Sequence, residues 1–302
     1  MRSKKSAEKN SDILALARAH QLDLEPASLN IIEMGLDFRV VMATDTTGRD
    51  WVLRIPRYPS VMDRAAAEAR VLQVVSRHLS VAVPDWQVHT RELIAYPLLP
   101  GVPGLELTRD GEPVWNVDAS SPVYVDHLAD ILIQLHAIPV AEVADTGIPI
   151  RTPEEVREAW SEDLDRVEQE FTVSTALLRR WRAWVEEDTY WPEHTVLTHG
   201  EIYPGHTLVE DGRITGIIDW TTARVGDPAA DLMMQQMIAT PDSVERLLDR
   251  YVRGGGRIWP RIREHCAELI AANPVGYALY ALEVDNPDLL ETAGMMLNPP
   301  DA

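Results

Sequence analysis

Glu201, His206 and Asp219 are the side chains in this sequence best placed to do chemistry. The run Thr198-His199-Gly200-Glu201-Ile202-Tyr203-Pro204-Gly205-His206 sets a carboxylate in a short turn and an imidazole five residues further on, and Ile217-Ile218-Asp219-Trp220 follows. Such a set suits phosphoryl transfer. One carboxylate orients an attacking hydroxyl, while the other two side chains hold Mg²⁺ against the phosphates of a nucleotide. Each residue also has a plainer reading: an isolated glutamate is most often a cap or a surface residue, and an isolated histidine is most often structural. Asp219 is the hardest to explain without a ligand, because a carboxylate closing the apolar strand Ile214–Ile218 needs a cation beside it. Mg²⁺ prefers oxygen and keeps several waters, but a neutral imidazole can also ligate a divalent metal.

Positioning these groups requires a strand before Glu201, read at Val196-Leu197-Thr198, and a hairpin before Asp219, turned at Glu210-Asp211-Gly212. The pattern upstream is strand-rich. A helix capped by Ser11 or Asp12 runs to His20. Strands follow at Leu29–Met34 and Phe38–Ala43, separated by Gly35-Leu36-Asp37, and at Trp51–Ile55 after the turn Thr44–Asp50. A helix spans Val61–Leu79, and short strands near Trp86–Val88 and Leu93–Tyr96 lead into the loop Pro97–Gly101. Helical patterning dominates downstream. It covers Asp126–Ala137, a segment whose Thr152, Pro153 and Glu155 have capping-box spacing, Leu177–Asp188, and nearly all of Asp227–Met296 between prolines 241, 260, 274 and 287. The sequence thus predicts an α+β chain of two lobes, a strand-rich residues 1–97 and a mostly helical residues 98–302. One small β-unit in the second lobe carries the site.

Arg54, in Val52-Leu53-Arg54-Ile55-Pro56, leaves a strand between apolar neighbours, and Glu68 in the next helix is its ion-pair partner. Together they would present a fixed positive charge to phosphates; alone, Arg54 would read as a solvent-facing strand residue. Asp227 reads as an N-cap before Pro228. Asp231, one turn on, either braces the catalytic turn or contacts substrate.

Lys and Arg number 28 against 48 Asp and Glu, a net charge of −20. This disfavours nucleic acid as a partner and would attract a cationic small molecule, although acidic surfaces also serve solubility. The single cysteine, Cys266, excludes a disulfide framework. The opening MRSKKSAEKNSD has no apolar stretch of a signal peptide, and no run approaches the ~20 apolar residues of a membrane span, so a cytoplasmic protein is expected. No P-loop, nucleophile elbow or H-E-x-x-H is present. Gly254-Gly255-Gly256 lies between helices and reads as a loop.

In this order the pieces resemble the aminoglycoside phosphotransferase-like kinases, relatives of the protein-kinase fold, over nearly the whole chain. The matching positions are His199-Gly200-Glu201, His206, Asp219 and Gly226-Asp227-Pro228-Ala229-Ala230-Asp231-Leu232. Within that family the chain looks most like the macrolide 2′-phosphotransferases, through Met34–Val40, Val52–Arg57 and the histidine at 206. The resemblance implies a small antiparallel-sheet N-lobe, a large mainly helical C-lobe, and transfer of the γ-phosphoryl group of GTP or ATP to the 2′-hydroxyl of the macrolide's amino sugar. It further implies Glu201 as catalytic carboxylate, His206 and Asp219 as Mg²⁺ ligands, and Arg54 and Glu68 at the phosphates. The nucleotide base would meet backbone around Ala95, Tyr96 and Leu98. The cationic amine of the sugar would suit an acidic cleft holding Glu201 and Asp231. Tyr203, in the catalytic turn, is a candidate substrate contact, and Met233, Met234, Met237, Tyr277 and Tyr280 are candidates for an apolar wall against the lactone ring.

Two positions depart from the family's pattern. Position 201 is Glu where Asp is usual, and an extra methylene moves the carboxylate by on the order of an ångström, which can cost ~10²-fold in rate unless the turn adjusts. Arg54 replaces the usual lysine, and its fork binds phosphate well. Rival readings remain open: the same fold acting on an aminoglycoside, choline or a sugar; a silent nucleotide-binding homologue; and, more distantly, a metal-dependent hydrolase. A monomer is the default.

Overall fold

The computed structural model describes residues 2–33, 37–59, 61–108 and 110–299. The expected turn at Gly35-Leu36 and the Met34 end of its strand lie outside them. In the N-terminal part, β1 (Asn30–Ile32), β2 (Phe38–Thr44), β3 (Asp50–Pro56), β4 (Val88–His89) and β5 (Ile94–Pro97) form an antiparallel sheet in the order β1-β2-β3-β5-β4. Helix α1 (Arg2–Ala19) covers one face and α2 (Val61–Val75) the other. Successive strand side chains point to opposite faces. Trp51 and Leu53 therefore pack with Ile13 and Ala17, while Val52 joins Phe38, Tyr96, Val61 and Met62 on the α2 side. Arg54 shares that second face, so its apolar neighbours reflect a sheet buried on both sides. Asp45 builds the β2–β3 turn, accepting bonds from the Thr47 and Arg49 amides and from the Trp51 indole.

The second part is built around α3 (Pro122–His136), whose Tyr124, Leu128, Leu132 and Leu135 are buried. Before it come β6 (Val102–Pro103) and the hairpin β7 (Leu105–Leu107) and β8 (Pro113–Trp115); after it come α4 (Val140–Val143), α5 (Pro153–Glu170) and α6 (Thr175–Glu186). The site unit follows, with β9 (Val196–Thr198), β10 (Thr207–Glu210), β11 (Arg213–Ile217) and β12 (Arg224–Gly226). β9 pairs with β12, and β10 lies between β11 and β6. A 3₁₀ turn at Pro228–Asp231 leads to α7 (Met233–Ile238), α8 (Pro241–Arg253), α9 (Ile262–Ala271), α10 (Asn273–Val284) and α11 (Pro287–Leu297). Arg246 and Arg250 of α8 clasp Asp126 and Asp130 of α3 through paired bonds of 2.7 to 2.8 Å.

Several boundaries differ from expectation. Helix α1 starts at Arg2 rather than at a Ser11 or Asp12 cap, because the Lys-, Glu- and Ala-rich residues before Ser11 are helix formers with no breaker among them. Helix α2 ends at Val75, short of Leu79, and α3 starts at Pro122 behind the cap Ser121. β6, β7 and β8 fall after the loop Pro97–Gly101, in a stretch to which the sequence assigns no element, since strands of two or three residues display no period. Asp227 caps the 3₁₀ turn rather than a continuous α-helix.

The reciprocal bonds of the Thr152 capping box are both formed, from Glu155 N to Thr152 Oγ1 and from Thr152 N to Glu155 Oε2. Thr152→Ala is therefore expected to lower stability by about 1 kcal/mol, read from the urea midpoint, without changing any activity of the site.

Candidate active site

The turn that carries Glu201 is held by main-chain hydrogen bonds. Asp231 is fully buried; its Oδ1 accepts the Gly200 N–H at 2.6 Å and its Oδ2 the His199 N–H at 2.9 Å. His136, closing α3, reaches the same Oδ2 from Nε2 at 3.2 Å and the Tyr251 hydroxyl from Nδ1 at 2.7 Å. Burial would raise the Asp231 pKa, but the bond and charge of His136, the charge of His199 and the Gly200 amide outweigh it and hold the group below the usual range. Both Asp231 oxygens are thus turned onto the catalytic turn and His136, the arrangement of a brace. Gly200 has φ +88, and a Cβ there would lie 2.6 Å from the Thr222 carbonyl, so the position requires glycine.

His199 donates from Nε2 to the Ile218 carbonyl at 3.0 Å and accepts the Glu201 N–H on Nδ1 at 3.3 Å. Burial, with the charge of His206, lowers its pKa to about 4. His206 donates from Nδ1 to the Glu201 carbonyl at 2.9 Å. The main chain of Glu201 is thereby pinned on both sides. His206 Nε2, its other ring nitrogen, lies 3.7 Å from Asp219 Oδ2.

Asp219 follows β11 with φ 62, a left-handed conformation uncommon outside glycine. Thr221 donates to its Oδ1 at 2.7 Å, and Arg54 Nη2 stands 3.9 Å from the same oxygen. Burial works to raise the Asp219 pKa, but Arg54, His206 and Thr221 prevail and keep it below the usual range. Desolvation in the cleft, reinforced by the Asp219 charge, instead holds the Glu201 carboxyl above the usual glutamate range. Arg54 Nη1 bonds Glu68 Oε1 at 2.7 Å with both side chains buried, and its guanidinium lies 4.1 Å over the Phe38 ring. A cation therefore does stand beside Asp219. His206 Nε2 and Asp219 Oδ2, 3.7 Å apart, stand wider than the ~3 Å between adjacent octahedral ligands, so they would have to draw together to hold one Mg²⁺. Among the described residues no group of three or more metal-binding side chains occurs, so a cation here would complete its shell from water and phosphate.

Elsewhere the sequence reading needs adjustment. Ala95 and Tyr96 are buried in β5. The Ala95 carbonyl already accepts from Gln87, and the Leu98 N–H donates to the Asp50 carbonyl at 2.9 Å, so Leu98 can offer a base only its own carbonyl. Tyr203 packs edge-on to His206, centroids 4.6 Å apart, as part of the turn. A 440 Å³ cavity lies beside Arg224, lined by Trp160, Asp163, Met233, Asn273 and Gly276 among others. Arg224 Nη1 is 3.1 Å from where a Gly200 Cβ would stand, which brings the cavity against the catalytic turn. Met234, Tyr277 and Tyr280 do not line it. They sit one or a few residues from Met233 and Gly276, and each helical step turns a side chain about 100°. Tyr277 instead packs on the core, and the Tyr280 hydroxyl donates to Asp37 at 3.2 Å.

A family model described as "Phosphotransferase enzyme family" matches residues 28–265. The chain belongs to that family. It is 52% identical to the macrolide 2′-phosphotransferase MphH from Brachybacterium faecium, whose apoenzyme crystal structure it matches with a TM-score of 0.91 over 98% of this chain and 99% of that one. It is 41% identical to the structure of a macrolide 2′-phosphotransferase type I, with a TM-score of 0.89 over 95% and 96% of the two chains. The uncharacterized protein YcbJ of Bacillus subtilis (strain 168) is 41% identical over 288 residues, 94% of each chain. The fold is the two-part kinase-like one, and no helix among the described residues is long and apolar enough to cross a membrane.

Around the turn and the adjoining cavity stand several groups that the sequence did not single out. His136, Arg224, Asp163 and Trp160 carry no motif. His136 alone leaves a trace, as the polar end of the largely apolar helix segment Ile131-Leu132-Ile133-Gln134-Leu135.

The buried Arg54–Glu68 pair yields a paired prediction. Glu68→Ala leaves Arg54 desolvated and is expected to cost about 3–5 kcal/mol in a denaturation curve. The double variant Arg54→Met/Glu68→Leu should recover most of that stability, because apolar replacement of a buried pair is often neutral. It should recover none of the phosphoryl transfer.

Proposed function

We propose that this phosphotransferase moves the γ-phosphoryl group of GTP or ATP to the 2′-hydroxyl of the amino sugar of a macrolide, and so confers resistance in the cytoplasm. The reading is carried by 52% identity across nearly the entire chain to a macrolide 2′-phosphotransferase, and it is supported by the arrangement of the site.

Each side chain then has a task. Arg54, kept charged by Glu68 and Asp219 against the pull of burial, faces the nucleotide phosphates from the sheet. Asp219 and His206 would hold Mg²⁺, through an ionised Oδ2 and a bare Nε2. The ion, when bound, neutralises charge on the phosphates. Glu201 accepts a hydrogen bond from the acceptor hydroxyl and aligns it for in-line attack. Because the main chain at 201 is pinned by His199 and His206, the longer glutamate arm has to adapt through its own rotamers rather than through the turn. The 440 Å³ cavity beside Arg224 is of a size and lining suited to part of a drug-sized acceptor. Asp163 and the overall charge of −20 favour an acceptor bearing an amine.

The test is to incubate the protein with erythromycin, Mg²⁺ and GTP or ATP and to weigh the drug by mass spectrometry. One added phosphoryl group is expected. It should be absent with EDTA, restored by excess Mg²⁺, and absent in Asp219→Ala. An unmodified drug with both nucleotides would contradict the macrolide reading.

A further inference from the structure

A histidine outside every motif stands at the head of the contacts that hold the catalytic turn. His265 of α9 is fully buried among Trp184, Trp191 and Trp259, whose ring centroids lie 5.5, 4.8 and 5.6 Å from its own. The Trp184 indole N–H donates to His265 Nδ1 at 3.1 Å. An indole nitrogen can only donate, so Nδ1 is the bare nitrogen and Nε2 carries the ring proton. That proton is directed to Asp227 Oδ2 at 2.5 Å, a short bond to a carboxylate that is otherwise almost fully buried.

The second Asp227 oxygen accepts the Ala229 N–H at 2.8 Å and caps the 3₁₀ turn Pro228–Asp231. That turn ends in the carboxylate that grips His199 and Gly200. Each step from Trp184 to Glu201 is thus a directed hydrogen bond, one tight turn, or adjacent residues in the chain. Asp227 is 6% exposed. Without the Nε2–H, one of its oxygens would lose its donor, and a buried carboxylate in that state must reorient or draw in water. Either response turns the cap.

We propose that His265 is a positioning residue for phosphoryl transfer: by donating to Asp227 it fixes the 3₁₀ turn that presents Asp231 to the catalytic turn, and so sets where the Glu201 carboxylate stands. The proposal rests on Glu201 as the group that aligns the acceptor. A displacement of about 1 Å at such a group costs ~10²-fold in rate. The nucleotide is held from β3 and from the end of β11, so its binding should not change.

The experiment compares His265→Leu and His265→Gln with the unaltered enzyme, by steady-state kinetics and by amide proton–nitrogen correlation spectra. Glutamine keeps an N–H donor and leucine has none. In His265→Leu, kcat should fall ~10²-fold with the nucleotide KM unchanged, and the His199 and Gly200 amide resonances should shift. His265→Gln should return both quantities toward their original values. A leucine variant with a lower melting temperature but unaltered kcat and unaltered His199 and Gly200 resonances would overturn the proposal, as would a glutamine variant as impaired as leucine. Should His265→Leu fail to fold, Trp184→Phe takes its place, since it removes the donor that fixes the tautomer; unchanged amides and kcat there would count against the proposal. The amide spectra need no acceptor, so a failure of the macrolide reading leaves this test intact.

Discussion

A carboxylate shut away from water needs its lone pairs occupied, and Asp231 meets that need with two consecutive main-chain N–H groups and one imidazole. The demand runs in both directions. The buried charge is tolerable only because the turn donates to it, and the turn keeps its shape only because the charge is there to accept. Gly200 completes the arrangement, since any side chain at that position would meet the Thr222 carbonyl. From this anchor the rest follows in order. His199 receives the Glu201 amide, His206 donates to the Glu201 carbonyl, and the other His206 ring nitrogen is left facing Asp219.

The second constraint is electrostatic and joins the two parts of the molecule. Arg54 comes from the N-terminal sheet, is neutralised by Glu68 from α2, and stands 3.9 Å from Asp219 in the C-terminal part. In an acidic protein this one buried guanidinium keeps Asp219 ionised while Glu201, farther from the cation and beside Asp219, is pushed the other way. Two carboxylates in one cleft with opposite shifts are suited to different tasks, one to hold a cation and one to receive a hydrogen bond.

Much of this was legible in the sequence because the residues are contiguous. The His199–His206 run and Asp219 are local motifs, and the Thr152 cap and the strands around Arg54 follow from short-range chemistry. Asp231 was ambiguous because its side chain direction depends on whether Asp227 opens an α-helix or a 3₁₀ turn, which spacing does not distinguish. Of the candidates for an apolar wall, Met233 lines the cavity beside Arg224 together with Asn273 and Gly276, and helical periodicity alone does not say which neighbour each stripe meets. The strands β6 to β8 are too short to carry a period. His136 and His265 act across long sequence separations, through single bonds to aspartates, and no local pattern marks them.

The most direct measurement concerns Glu201 itself. With Glu201→Gln the shape of the side chain is kept and only the charge that aligns the acceptor hydroxyl is removed. The account predicts that kcat for macrolide phosphorylation falls by ~10² to 10⁴-fold while the nucleotide KM is unchanged. A glutamine variant that phosphorylates the macrolide at the original rate would contradict it.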